Sequence, residues 1–336
     1  MSMNPRESGE FIVKNAKHLA IDVNGIQNLV KEVVEGIKTK QIDIENFSQH
    51  EHHPTVSDAY APNWIFLIDT LNFCFWTPGD ATKWKVNGYT GYFALCASIN
   101  RAIKEGIDIT NPAYYSSITV NELEHILRSD DNVTKCPLIE ERVSILGDVG
   151  KKLMLKYDGN FKNCVIEAKN SAQALIKLVV NEFPCFKDEA TYCNEKVTIY
   201  KRVQILVGDI WSCYRGEGLG QFDDIETVTM FADYRVPQVL VHFGAIKYSN
   251  ELLDLLKKET ILANGSPEEV EIRGASIYVV EQLKEMVLKE IKENCLDLST
   301  KNVNSVLLDH FLWDYRRRFA YELEHIPFHK TISIYY

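Results

Sequence analysis

A mainly α-helical chain forming a single domain is the fold class this sequence predicts, and three observations carry the prediction. Beyond residue 90 apolar residues recur at three-and-four spacing, polar capping signatures precede two of those runs, and alternating β-prone stretches are few and short. With 336 residues, 46% of them apolar, the chain can bury a sizeable core. No internal repeat or low-complexity linker interrupts it, so 1–336 reads as one compact helical domain with minor β.

The elements follow in chain order. Met1-Ser-Met-Asn-Pro-Arg-Glu lacks a charged-then-apolar leader, and residues 41–58 are polar and irregular, reading as a mobile flap. Within that flap His50, His52 and His53 share one short loop, but no Cys or further His stands at ligand spacing, so no metal and no cofactor are expected. Trp64 to Trp76 is the longest apolar run; it is too short to span a bilayer and encloses Asp69 and Asn72. Either it is plain core, or its aromatics, Trp64, Phe73 and Trp76 among them, form a stacking wall for a planar ligand. Lys85 to Tyr92 suits a small hairpin about Asn87-Gly88, and Thr119-Val-Asn-Glu122 is a capping box. Helices are predicted through Leu146, Val149 and Leu153, through Leu175, Leu178 and Val179, and through Val203, Leu206, Val207 and Ile210. Asp188 to Lys196 reads as an ordinary loop, and Lys196 to Tyr200 as β-prone. Arg215 to Gly220 resembles a phosphate loop only loosely, since it follows a helix and lacks a Gly-Lys-Ser/Thr ending. Val239 to Ile246 reads as a buried helix, Ser266-Pro-Glu-Glu269 as a second capping box, and Val279, Leu283, Val287 and Ile291 as its continuation, with Gly274 liable to break the first turns. Val306 to Phe319 is helical, and Thr331 to Tyr336 alternates as a strand would.

A net charge of −10 disfavours a phosphate-tracking surface, hence stable binding of nucleic acid, while leaving room for a small phosphorylated ligand. Eight cysteines without a Cys-x-x-Cys pair read as reduced core thiols, which with the missing leader predicts a cytoplasmic protein with no membrane partner.

Candidate chemistry concentrates in Phe231-Ala-Asp-Tyr-Arg-Val-Pro-Gln238, where Asp233, Tyr234 and Arg235 sit directly before a proline suited to the first helical position. Asp233 is thereby placed on a stiff turn at a helix mouth, where following N–H groups favour an ionised carboxylate; an ordinary helix-entry acid is the plainer alternative. In Tyr200-Lys-Arg-Val-Gln204, Lys201 and Arg202 stand at the positive end of a helix, which points to a bound phosphate or else to two solvated surface cations. On the 306–319 helix Asp309 falls at the edge of the apolar stripe, while Asp314 lies about 140° away at 100° per residue and has Arg317 and Arg318 for ion-pair partners. Asp309 is therefore the better partner for Asp233.

Together with Pro5-Arg-Glu-Ser-Gly9, Asn63-Trp64 to Trp76, Gly91 to Ala97, Glu269-Val-Glu-Ile-Arg-Gly274, Leu307-Leu-Asp309, Pro327-Phe-His329 and Tyr335-Tyr336, these segments resemble the queuosine salvage protein family. The resemblance spans nearly the whole chain. It implies a fold similar to helical DNA glycosylases and an N-glycosylase that releases queuine from queuosine 5'-monophosphate. It further implies that Asp233 is the catalytic aspartate, with Asp309 also functional. Such a reaction passes through an oxocarbenium-like state that a carboxylate stabilises. Trp64, Phe73 and Trp76 are the candidates for stacking the base, Lys201 and Arg235 for the phosphate, and Tyr234 for a further substrate contact. Two other classes stand as alternatives: a tRNA-binding or structural module without catalysis, and a nucleotide phosphohydrolase, for which no His-Asp or Asp-x-Asp metal cage is present.

Overall fold

The organising element is the Lys201–Cys213 helix, which is buried on every side but for Ile205. A helix apolar all round belongs at the centre of a core. This one also buries Lys201, Arg202, Gln204 and Asp209, so polar groups are carried into the interior on a rigid rod. In this computed structural model, which describes residues 3–79 and 81–336, that helix packs along the Ala61–Leu71 helix and against Ala172–Glu182.

The Ala61–Leu71 helix buries nearly its whole length, and its C-terminal carbonyls lack a local cap. Two distant arginines supply one. Arg142 donates to the carbonyls of Leu71, Phe73 and Cys74, and Arg202 to those of Asp69, Thr70 and Cys185. Orphan carbonyls at a buried helix end need such donors. Arg202 is thus neither a solvated surface cation nor free for a phosphate. Both guanidinium groups also lie over the ring of Phe73, at 4.2 Å and 5.1 Å.

Sixteen α-helices are described, with three two-stranded antiparallel sheets: Leu19–Ile21 with Ile246–Tyr248, Lys85–Val86 with Tyr89–Thr90, and Glu189–Tyr192 with Glu195–Thr198. One apolar cluster runs from Leu19 to Ile326. The hairpin about Asn87-Gly88 and the Thr119–Glu122 capping box form as expected. Four local readings are corrected. Asp188 to Lys196 is no loop: strands pair across Cys193-Asn194, both left-handed (φ 49 and 63), the twist a two-residue hairpin turn requires. The helix at Pro237 runs Val236–His242 and stops, because Gly244 turns at φ 77 and Ile246 pairs in a sheet. The Ser266 hydroxyl makes no cap, since Glu269 turns instead to the Gly265 N–H and to Arg273. Thr331 to Tyr336 is not a strand; it finds no partner strand, and one bridge joins Lys330 to Ile261.

Gly274 does not interrupt the Pro267–Glu293 helix. It lets the Pro5–Asn15 helix cross closely: a Cβ there would stand 2.5 Å from the Ile12 side chain, and one at Gly9 3.1 Å from the Gly274 carbonyl. Segment 41–58 contacts the rest of the chain through Tyr92 Oη at 3.0 Å from His53 Nε2, Asn100 donating to the His52 carbonyl at 2.8 Å and Arg215 paired with Glu45 at 3.0 Å. No described helix is long and apolar enough to cross a membrane.

Candidate active site

Asp233 sits where the chain enters the Val236–His242 helix, and one carboxylate oxygen, Oδ1, accepts the N–H groups of Arg235 at 2.8 Å and Val236 at 2.9 Å. Pro237 fits at the second helical position for the reason that it fits at the first, having no N–H to leave unpaired. The other oxygen, Oδ2, accepts no hydrogen bond among the described residues. The backbone before it is held as well: Asp309 Oδ1 accepts the N–H of Phe231 at 2.9 Å.

Around Asp233 the core converges on a set of acids and one lysine. Lys201, Asp69, Asp209 and Asp309 are all buried. Burial pushes the Lys201 ammonium below its ordinary value, and the neighbouring carboxylates of Asp233, Asp69 and Asp309 pull it back up. Burial likewise raises Asp69 to about 7 against the opposing pull of Lys201 and of the nearby Asn72 side chain, and neither oxygen of Asp69 makes a hydrogen bond of ordinary geometry. Asp209 and Asp309 are raised well above the carboxylate range, chiefly by burial and further by the adjoining acids Asp69 and Asp233 respectively. Nζ of Lys201 has one protein partner, the Asn72 carbonyl at 3.5 Å. The solvated-cation reading of Lys201 is therefore corrected.

An aromatic and imidazole layer closes over these acids. His53 Nδ1 lies 2.8 Å from the Phe47 carbonyl, which can only accept, so that nitrogen carries the proton and Nε2 accepts from Tyr92 Oη at 3.0 Å. Tyr92 borders Asp209, and His310 Nε2 stands 3.8 Å from Asp209 Oδ1. Burial holds His310 at about 4 and His53 at about 3, so both are neutral at pH 7. His50 stacks flat on Phe93 at 3.7 Å. Among the described residues no group of three His, Cys, Asp or Glu is arranged to hold a metal ion.

The structure brings Asp233, Asp309 and Lys201 together and spreads the remaining candidates around them. Trp64 lies edge-on to His53 at 6.2 Å, its Nε1 donating to Asn100. Phe73 lies beside the two capping arginines, and Trp76 donates Nε1 to the Thr331 carbonyl at 3.0 Å. Tyr234 packs toward Phe328 and Tyr336. Arg235 lies over Phe328 at 4.1 Å and donates to Gln238 Oε1 at 3.2 Å, an oxygen that also accepts from buried Arg316 at 2.7 Å. Asp209, Tyr92, His310 and Arg316 escaped the sequence reading, and His53 was weighed there only as a metal ligand. An acid in the otherwise apolar run Ile205 to Trp211 was the signal for Asp209. Asp314 stays half-exposed, 3.9 Å from Arg317.

A helical scaffold that buries several carboxylates around one lysine, with a helix-mouth aspartate open on one oxygen, defines a site for stabilising positive charge on a small ligand. Residues 52–336 match the family model described as queuosine salvage protein, and the chain belongs to that family. It is similar to the queuosine 5'-phosphate N-glycosylase/hydrolase of Bos taurus, 45% identical with 99% of each chain covered, and to that of Mus musculus, 43% identical with the same coverage. The bacterial protein of that name from Sphaerobacter thermophilus is 35% identical, covering 97% of this chain and 95% of its own.

Proposed function

We propose that this protein hydrolyses the N-glycosidic bond of queuosine 5'-monophosphate, releasing queuine and ribose 5-phosphate. The observation that carries this reading is Asp233, one oxygen held by two helix-mouth N–H groups and the other unpaired. As the bond to the base stretches, positive charge develops on the ribose, and an oriented carboxylate stabilises it without reorganising. Water then adds to the sugar and the base leaves with a proton. The base is a 7-deazaguanine, with carbon at position 7, so that proton goes to a heteroatom elsewhere on the ring, and Asp209 and Asp309, both pushed upward chiefly by burial, are proposed as its donors. The side-chain amine of queuine is cationic, which suits a pocket with more acids than bases, and Asp69, with both oxygens unpartnered, is its proposed partner.

The remaining roles follow from position. Trp64, edge-on to His53, is proposed as the ring that meets the base, with Phe73 and Trp76 as further candidates for stacking. Arg235, with Tyr234 beside it, is proposed to receive the 5'-phosphate. Lys201 lies within electrostatic reach of Asp233, Asp69 and Asp309 and compensates their charge. Incubating the protein with queuosine 5'-monophosphate and resolving the products tests the reading: free queuine with no inorganic phosphate is expected. Asp233→Asn should lower its release by ~10²-fold or more while binding stays within about tenfold, since the amide keeps shape and loses charge. Inorganic phosphate instead of queuine would establish the phosphohydrolase, and neither product the binding module.

A further inference from the structure

Arg142, Arg202 and Arg273 are the wholly buried arginines among the largest interior side chains. The first two cap one helix end. Arg273 does something else. From the second turn of the Pro267–Glu293 helix its Nε donates at 3.0 Å to the carbonyl of Ala232, in the peptide that leads directly into Asp233. Its Nη1 reaches Asp188 Oδ1 at 3.1 Å and Glu269 Oε1 at 3.0 Å, its Nη2 reaches Asp188 Oδ2 at 2.6 Å, and the Tyr336 ring covers it at 3.8 Å.

Asp188 turns this anchor into a link. Its Oδ2 also accepts the backbone N–H of Lys201 at 3.1 Å, and its carbonyl accepts those of Ile199 at 3.0 Å and Tyr200 at 3.3 Å. Tyr200 is left-handed at φ 54 and supplies no side-chain cap, so the mouth of the Lys201 helix is capped from thirteen residues upstream. A planar guanidinium, gripped bidentately by Asp188, therefore touches the Asp233 peptide on one edge and the cap of the Lys201 helix on the other.

We propose that Arg273 is a positioning residue for the hydrolysis, setting the separation of Asp233 and Lys201 through Ala232 on one side and Asp188 on the other. The proposal rests on the role given to Asp233 above. Stability alone does not call for this arrangement, because buried ion pairs contribute little net stability against well-packed apolar groups. Geometry does: a lysine is a point charge that cannot serve Ala232 and both oxygens of Asp188 at once. Nor is the peptide free to adapt, since Asp309 grips it one residue earlier, at the N–H of Phe231.

The test compares kcat and KM for queuine release by wild type, Arg273→Lys and Asp188→Asn, alongside Glu281→Gln. Glu281 lies on the same helix and loses Arg6 and Lys284, each at 2.7 Å, without touching the residues above. In Arg273→Lys kcat should fall on the order of 10- to 100-fold with KM within about threefold, as expected when reacting groups are misplaced by about 1 Å rather than removed. Asp188→Asn should do the same, whereas Glu281→Gln should lower the unfolding midpoint and leave kcat unchanged. A folded Arg273→Lys enzyme with wild-type kcat overturns the proposal, and so does an equal kcat loss in Glu281→Gln. If Arg273→Lys does not fold, Asp188→Asn decides by the same criterion. Wild type releasing no queuine would instead overturn the role of Asp233, so the two failures are distinguishable.

Discussion

At the scale of single residues, Arg235 and Lys201 divide the work that a phosphate and a developing cation impose. Lys201 is surrounded by Asp233, Asp69 and Asp309, and a phosphate brought against it would meet their repulsion. Arg235 has a different neighbour. It shares the Gln238 oxygen with Arg316, whose guanidinium is pushed below its ordinary value first by burial and next by Arg235. Arg316 already pairs with Glu324 at 3.3 Å, whereas Arg235 makes no ion pair among the described residues and is the cation of the two left to receive an anion. Arg235→Ala should therefore cost the monophosphate ~1.5–3 kcal/mol, the worth of a charge-assisted contact, and leave the unphosphorylated nucleoside nearly unchanged. That is roughly one to two decades of kcat/KM. Lys201→Ala should slow both substrates by the same factor, because the acids it compensates act on the ribose in either case. Measuring kcat/KM for both substrates with both variants decides it. Selective loss of the monophosphate in Lys201→Ala would return the phosphate to the helix mouth.

At the scale of elements, the decisive crossing is that of Pro5–Asn15 over Pro267–Glu293, because the second of these carries Arg273. Gly274→Ala would place a methyl 2.5 Å from the Ile12 side chain and 2.8 Å from its Cβ, in a site with no room. Overpacking of this kind costs ~1–3 kcal/mol. The variant should lose that much stability by denaturant unfolding, and Ile12→Val in the same chain should recover part of it; a neutral Gly274→Ala would mean the two helices separate freely. The glycine stood in the sequence as a suspected helix breaker, since composition records what a residue permits and not what crosses it. Elements whose signal is local were legible on the same grounds: Asn87-Gly88 makes its turn, and Thr119 and Glu122 satisfy each other. Ser266 and Glu269 have the same spacing and do not, for a buried arginine four residues on competes for the carboxylate. The candidate site was legible through Asp233 and Asp309, which a helix mouth and a helix edge mark. Asp209 and Asp188 were not, the one because a helix buried all round has no polar face, the other because it caps a helix thirteen residues away.

At the scale of the whole molecule, burial of titratable groups gives two opposing linkages to pH. The acids Asp69, Asp209 and Asp309 are raised by burial, Asp69 to about 7 from 3.8, so the folded chain holds their protons longer than the unfolded chain does. Their contribution to stability is complete below the unfolded value and is lost as pH rises through about 7 for Asp69. The imidazoles of His310, His53 and His329 are lowered by burial from 6.5 to about 4, about 3 and about 3. Their contribution is present above 6.5 and is lost as pH falls toward those values. Each group can contribute up to ~1.4 kcal/mol per pH unit, so below 6.5 the rise of Asp69 and the lowering of the imidazoles oppose one another. Asp69→Asn removes one member of the first set. At pH 8 wild type holds an ionised carboxylate with no hydrogen-bond partner on either oxygen, and the amide should raise the unfolding midpoint. At pH 5 the folded wild-type carboxyl is protonated and most of the gain should have gone, the remainder fading as pH approaches the unfolded value of 3.8. Below about 6.5 the variant should lose stability more steeply than wild type, its imidazoles being less opposed. Thermal unfolding from pH 5 to 8 measures this, and a gain of equal size at both ends would show that Asp69 does not titrate there. Release of queuine should fall in the same variant, because the carboxylate that burdens the fold is the one proposed to meet the cationic amine of the substrate.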